Sequence, residues 1–286
     1  MSLIDHIAGW QPPVQTRSEQ ITPGPASSLA ALLDQSWPAR LERELPPLWH
    51  WLYFLDHPPE AELGADGHPR NGEFLPPIPS RRRMFAGGRL TFFDPIVVGE
   101  KVTKTSKLHD AVVKQGSKSE LLFVTVRHEL SVDGEVRLME ESDLVYRSED
   151  TPPVAHTDQF VPSESAPWSD APWQLELTAD PVLLFRFSAL TANAHRIHYD
   201  EPYTRLLEGF PSLVVHGPLL ALLLLELPRR FAAQRTVESF EFRARRPVFA
   251  GQAMLVHGSP GPEDTWDLGV NTTSTAGAMT GTVRLR

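Results

Sequence analysis

Six polar residues, five of them able to hold or move a proton, lie within 24 positions of one another: Asn193, His195, His198, Tyr199, Asp200 and His216. Imidazole exchanges protons near neutral pH without a metal, so a histidine-dense segment flanked by apolar text suits general acid–base work. His195 and His198 stand three apart and share a face in a helical or turn conformation. Two other readings stay open: hydrogen-bonded structural histidines, or a metal site in which Asp200 joins the pair. A catalytic zinc site uses three well-separated ligands, and the chain has no His-Glu-x-x-His pair, which weighs against the metal. Directly after His216 comes Gly217-Pro218. Free N–H groups and the positive dipole end of a helix starting there favour a developing oxyanion, and glycine lets a ligand approach the backbone. The plain alternative is a helix start and nothing more. Other templates fail: there is no G-x-S-x-G elbow, no G-x-x-x-x-G-K-[ST] phosphate loop and no G-x-G-x-x-G after a strand.

The elements that must position these residues read as a duplication. Pro95-Ile-Val-Val-Gly99 lines up with Pro247-Val-Phe-Ala-Gly251, each preceded by a strand-like segment, Arg89 to Phe93 and Thr236 to Phe242. Upstream, Gly24-Pro25 and its following Ala/Leu run resemble Gly217-Pro218 and Leu219 to Leu225. Proline's fixed φ suits a helix start. After each helix the pattern turns to period two: Phe240, Phe242 and Ala244; Trp266, Leu268 and Val270; Leu122, Val124 and Val126. A long helix wrapped by a curved antiparallel sheet, made twice, is an α+β double hot-dog. The Pro-rich stretches, roughly 36–80 and 147–182, read as irregular connections, the second as a linker between halves 1–150 and 151–286. Only the second copy carries the histidine-rich segment, and before its Gly-Pro the first has Gln15-Thr-Arg-Ser-Glu-Gln20. One active centre per chain, in the C-terminal half, is expected.

Composition bounds the rest. At 286 residues, against a typical ~100–200 per domain, the chain holds one large or two modest domains. Its 27 basic and 36 acidic residues give a net charge of −9, which repels phosphate backbones and anionic lipid; Arg81-Arg82-Arg83 is a short basic run. With no cysteine, disulfides, thiolate nucleophiles, iron–sulfur clusters and cysteine-ligated zinc are excluded. The first ten residues lack a basic leader region and carry Asp5, and the apolar run Leu219 to Leu225 falls short of the ~18–20 residues of a membrane span, so a cytoplasmic location is expected.

At two motifs the chain resembles a known family. Phe187-x-Ala-Leu-Thr-x-Asn193-x-His195-Arg-Ile-His198-Tyr-Asp200 and Glu208-Gly-x-Pro211-x-Leu-Val-Val-His216-Gly-Pro218 look like MaoC-type hydratases and dehydratases. The likeness is greatest to the double hot-dog branch of hydroxyacyl-thioester dehydratase type 2, mesaconyl-CoA hydratases and itaconyl-CoA hydratases. In the N-terminal half Pro76-Pro-x-Pro79-x-Arg-Arg-Arg83-Met-x-Ala-Gly-Gly88-Arg-Leu90 joins the resemblance. It implies reversible addition of water to the α,β double bond of a short branched or dicarboxylic enoyl-CoA, with no cofactor, an acyl-CoA thioester as the small-molecule partner and a homo-oligomer as a possible assembly. Carried over, the proton-transferring histidine falls on His198 and the oxyanion amide on Gly217. The family's aspartate position is Asn193, and an amide cannot usefully accept a proton, so Asn193 is expected to orient the water. Tyr199, Asp200 and His216 are substrate-side candidates, and Arg83 is the expected anchor for a substrate carboxylate or CoA phosphate. The alternatives are a (3R)-hydroxyacyl-thioester dehydratase on fatty chains, a hot-dog thioesterase, and a non-catalytic acyl-CoA-binding protein.

Overall fold

A computed structural model describes residues 2–36, 43–72, 74–116, 119–148, 160, 163 and 165–286. In chain order the elements are α1 (Leu3–Ile7), β1 (Gln15–Gln20), α2 (Pro23–Leu32), β2 (Arg81–Phe92), β3 (Lys101–Gln115), β4 (Glu120–Val132) and β5 (Glu135–Ser148). The second half adds β6 (Trp173–Thr178), α3 (Pro181–Leu190), α4 (Glu201–Leu206), α5 (Gly217–Phe231), β7 (Val237–Ala244), β8 (Ala253–Pro260), β9 (Thr265–Thr272) and β10 (Thr275–Leu285). The expected boundary at 150/151, and most of the linker before residue 165, lie outside the described residues.

All ten strands form one sheet in the order β1-β3-β4-β5-β2-β7-β10-β9-β8-β6, and every pairing in it is antiparallel. The halves meet where β2 pairs with β7, Gly87 to Thr91 against Arg243 to Ser239. Glycine is needed at that seam, because a Cβ on Gly87 would stand 2.3 Å from the Phe242 carbonyl oxygen. The expected period-two segments all lie in strands, with Leu122, Val124, Phe240, Phe242, Leu268 and Val270 turned into the core. Leucine and alanine favour helix, and α5 places its unbroken run from Leu219 to Leu225 wholly in the interior, so burial on all sides holds it as the central helix of the second half. Pro218 sits in its first turn, where no N–H is missed. Among the described residues no helix is long and apolar enough to cross a membrane.

Backbone hydrogen bonds align the two halves and correct one expected correspondence. Gly99 donates to Ile21 and Gly251 to Ala179, both glycines at positive φ, so the Pro-x-x-x-G turns are equivalent. Ile21 lies between β1 and α2, and Ala179 between β6 and α3, which makes α2 the counterpart of α3 rather than of α5. The bonds from Leu45 to Ile96 and from Val98 to Arg43 repeat in those from Val215 to Val248 and from Ala250 to Leu213. The bridges Glu44–Val97 and Val214–Phe249 match as well. Leu45 therefore answers to Val215, and Pro46-Pro47 stand where the second half has His216-Gly217. Gly24-Pro25 is not the equivalent of Gly217-Pro218: Gly24 is the second residue of a helix begun at Pro23. In the first half the long helix is reduced to a 3-10 turn, Trp49–Leu52.

Candidate active site

The chain from α3 to α5 folds as a cradle for three imidazoles. Asp180 caps α3 by accepting from the Leu183 amide at 2.7 Å. After α3, Ala192 takes a positive φ, and the Asn193 side-chain oxygen accepts from the His195 amide at 3.0 Å. A 3-10 turn follows, Arg196–His198, and Asp200 caps α4 through the Tyr203 amide at 3.0 Å. Val214 then returns beneath that turn by donating to the Ile197 carbonyl, and His216 is the residue from which α5 springs.

His198 is buried, and its Nδ1 donates to the Val214 carbonyl at 2.7 Å. That bond places the proton on Nδ1 and leaves Nε2 as the acceptor. Its ring stacks on His216, centroids 3.6 Å apart and planes at 19°, and meets His195 edge-on at 5.5 Å. His216 is fully buried, its Nε2 bonded to the Ser188 hydroxyl at 2.9 Å and its Nδ1 without a protein partner among the described residues. Burial favours the uncharged ring, so His198 is held down to about 4 and His195 to about 2, while His216 is pushed far below the ordinary imidazole range. At the head of α5 the Gly217 amide donates to no protein acceptor among the described residues. The edge of Phe85 lies against Gly217, and a Cβ there would meet Phe85 Cδ1 at 2.5 Å. In the first half Pro46 and Pro47 occupy the corresponding place, and proline has no N–H to offer an oxyanion.

A loop from the N-terminal half completes the cluster. The Arg196 amide donates to the Asp66 carbonyl at 2.9 Å, and the Arg196 guanidinium reaches the Ala65 carbonyl at 3.0 Å. Gly67 has φ +88 and lies so close to Ala194 that a Cβ would stand 1.8 Å from its carbonyl oxygen. Docked in this way, Asp66 Oδ2 accepts from His68 Nδ1 at 2.9 Å, and the His68 ring lies 4.0 Å from that of His195. Burial would raise Asp66, but the His68 bonds outweigh it and hold the carboxyl at about 2. Arg83, opposite Tyr146 on β2, adds positive charge felt at His68 and His195, and makes no ion pair among the described residues. Two cavities share Pro69, Leu75, Arg83 and Tyr146. One of about 180 Å³ borders Asp66 and His68; the other, about 490 Å³, runs into the first half past Lys104, Ser106 and His128.

These positions separate the expected site residues. His198, His216 and Gly217 come together, and Arg83 lines the cavity bordered by Asp66 and His68. Tyr199 is exposed with its hydroxyl on the Ala194 carbonyl, and Asp200 is engaged by the Tyr203 amide and by Arg196 at 2.7 Å. The set His195, His198 and Asp200 weighed for a metal does not converge. It is Asp66, His68 and His195 that bring metal-ligand atom types within 4.8 Å of one another, although His68 Nδ1 and Asp66 Oδ2 are bonded to each other. His216 is buried beneath the ring of His198, and the oxygen of Asn193 accepts a bond from its own turn. Of the other arginines, Arg82 pairs with Glu208, Arg196 with Asp200 and Arg243 with Glu241. Sequence reading missed Asp66 and His68, whose one signal was the turn-forming Asp66-Gly67-His68-Pro69 string. It also missed His50, a histidine before residue 56 in the first half, which bonds buried Glu140 at 2.8 Å.

Comparison with known proteins gives the family and the fold. The family model described as hydroxyacyl-thioester dehydratase type 2 matches residues 48–250. The mesaconyl-C(4)-CoA hydratase of Chloroflexus aurantiacus is 43% identical over 250 residues, which are 87% of this chain and 87% of that protein. The mitochondrial hydroxyacyl-thioester dehydratase type 2 of Schizosaccharomyces pombe is 29% identical over 244 residues, 74% of this chain and 77% of its own. In fold the chain is similar to a MaoC-like dehydratase from Phytophthora capsici, with a TM-score of 0.67 at 13% identity, covering 99% of this chain and 98% of the other. With two antiparallel halves in one sheet and the motif-bearing helix head in the second, the chain belongs to the hydroxyacyl-thioester dehydratase type 2 family.

Proposed function

We propose that this chain is a hydro-lyase that adds water reversibly to the α,β double bond of a short dicarboxylic enoyl-CoA of the mesaconyl or itaconyl kind. The observation that carries the reading is the position of His198: Nδ1 fixed on the Val214 carbonyl, ring stacked on the residue that precedes Gly217. A neutral imidazole with an open Nε2 takes a proton from water as its oxygen bonds to Cβ. The electron pair of the double bond moves to the thioester oxygen, where the Gly217 amide and the α5 dipole stabilise the enolate. The same Nε2 then returns the proton to Cα, so atoms and charge balance without a cofactor. The 43% identity to a mesaconyl-C(4)-CoA hydratase supports the acyl group.

The family description and the Schizosaccharomyces pombe relative favour a second reading, dehydration of (3R)-hydroxyacyl chains. The larger cavity weighs against a fatty tail. Counting from the equivalent glycine turns, Lys104 occupies the place of fully buried Val256, and Arg83 and His128 line the same space. Lys104 and Arg83 on that wall suit a carboxylate better than a hydrocarbon chain. Hydrolysis is disfavoured, since Glu226, the first carboxylate on α5, stands about 13 Å along the axis from Gly217 and is ion-paired with Arg229 at 2.7 Å. We assign residues 151–286 the chemistry and residues 1–150 the substrate-binding part, and place the enzyme in the cytoplasm as a homo-oligomer.

Purified protein offered mesaconyl-, itaconyl-, crotonyl- and octenoyl-CoA decides between these. The expected result is loss of the conjugated absorbance with the first two and little with octenoyl-CoA. Release of CoA thiol with the double bond intact, or binding without turnover, contradicts the reading.

A further inference from the structure

The water that reacts at His198 has two protons, and only one goes to Nε2. The other needs an acceptor, and the residues beside His198 in the sequence do not supply one. The Asn193 oxygen already accepts from the His195 amide within its own turn, and Asp200 accepts from Tyr203 and Arg196. Across the cluster, His68 is presented by a loop of the other half, on the wall of the cavity that also holds Arg83. Its Nδ1 is tied to Asp66 Oδ2 at 2.9 Å, so its proton lies on Nδ1 and its Nε2 lone pair is left open. The Asp66 carboxylate is fixed in turn: Oδ1 accepts from the His68 backbone at 3.0 Å, and the loop is bonded to Arg196. The His68 ring lies 4.0 Å from that of His195, which meets the His198 ring edge-on at 5.5 Å, so the two halves bring these imidazoles into one cluster.

Resting on the hydratase reading, we propose that His68, oriented by Asp66, accepts the second hydrogen bond of the reacting water, so that the N-terminal half contributes a catalytic side chain to the site. His68 stays neutral throughout. Water donates one hydrogen to His198 and one to His68; the first is transferred, the new C–O bond forms at Cβ, and the product hydroxyl keeps its bond to His68. Asp66 is a positioning residue that holds one tautomer. The pair does for the water what an acidic side chain at position 193 would have done.

The test is steady-state hydration of mesaconyl-CoA by wild type, His68→Leu, His68→Gln, Asp66→Asn and the Asp66→Asn/His68→Leu double variant. His68→Leu is expected to lower kcat on the order of 10²-fold with KM changed less than about threefold. His68→Gln keeps an acceptor oxygen and is expected to recover part of that loss. Asp66→Asn is expected to lower kcat about tenfold, and the double variant is expected to be no slower than His68→Leu, because the two act as a unit. A kcat for His68→Leu within threefold of wild type overturns the proposal while leaving the hydratase reading standing. So does full additivity in the double variant, or loss of wild-type activity to a chelator, which would assign Asp66, His68 and His195 to a metal. Wild type inactive on every enoyl-CoA overturns the underlying reading and this one together. Should His68→Leu fail to fold, the His68→Gln and Asp66→Asn rates decide.

Discussion

Arg83 shows how a side chain becomes available for a ligand. Its neighbours in the run are engaged, Arg81 with the Pro76 carbonyl at 3.0 Å and Arg82 with Glu208, whereas Arg83 projects from β2 beside Tyr146 onto both cavities. A forked cation there can hold a carboxylate through charge-assisted bonds of about 2 kcal/mol. Arg83→Ala is therefore expected to raise KM for mesaconyl-CoA by tenfold or more and to leave crotonyl-CoA, which has no free carboxylate, nearly unchanged. Parallel Michaelis curves on the two esters check this, and an equal rise on both would assign Arg83 to the CoA portion instead. The same scale sets the two halves apart. Gly217 offers a peptide hydrogen, and its counterpart Pro47 has none.

Among the elements, the loop from Gly64 to Arg70 has the largest consequence for its size. It reaches the other half through backbone bonds to Arg196 and through the close approach of Gly67 to Ala194. A methyl group at residue 67 must adopt a left-handed conformation and displace a carbonyl, so Gly67→Ala is expected to cost about 2 kcal/mol or more and to lower kcat by moving Asp66 and His68. Urea unfolding and turnover measured on the same preparation test it; unchanged midpoint and rate would show that the loop is not held as described. This element also marks the limit of sequence reading. The helix head at Gly217, the strands and the proton-handling density around His198 were readable because periodicity and capping are local. The Asp66–His68 pair was not, because it meets His195 across more than 120 residues through backbone contacts that no spacing records. The match of Gly24-Pro25 to Gly217-Pro218 misled for the related reason that similar dipeptides can start different helices, and the long-range bonds of Leu45 and Val215 were needed to align the halves.

For the molecule as a whole, the interior holds several imidazoles that the fold keeps neutral. Burial lowers His198 and His128 to about 4 and His195 to about 2, with His216 lower still. Above pH 6.5 these rings are neutral folded or unfolded, and their contribution to stability is whole. As pH falls from 6.5 toward 4 the unfolded chain binds protons that the native chain refuses, so stability declines. Asp66, held at about 2, adds stability above its ordinary 3.8 and loses it only in stronger acid, outside that window. Scanning calorimetry is expected to show Tm at pH 5 lower than at pH 7.5 by more than about 5 °C. A flat Tm across that interval would mean that the rings are charged, and hence solvated, in the native state.

On the proposed reading, the reduced first half and the complete second half divide the work between them. The second holds the helix head with His195, His198 and His216, and the first holds the larger cavity and the docked loop that carries Asp66 and His68. That division has its most direct test in His198→Ala. Hydration of mesaconyl-CoA should fall by about 10³-fold or more, while a saturated acyl-CoA that cannot be hydrated binds with unchanged Kd. A variant that hydrates at a near-normal rate would contradict the account at its centre.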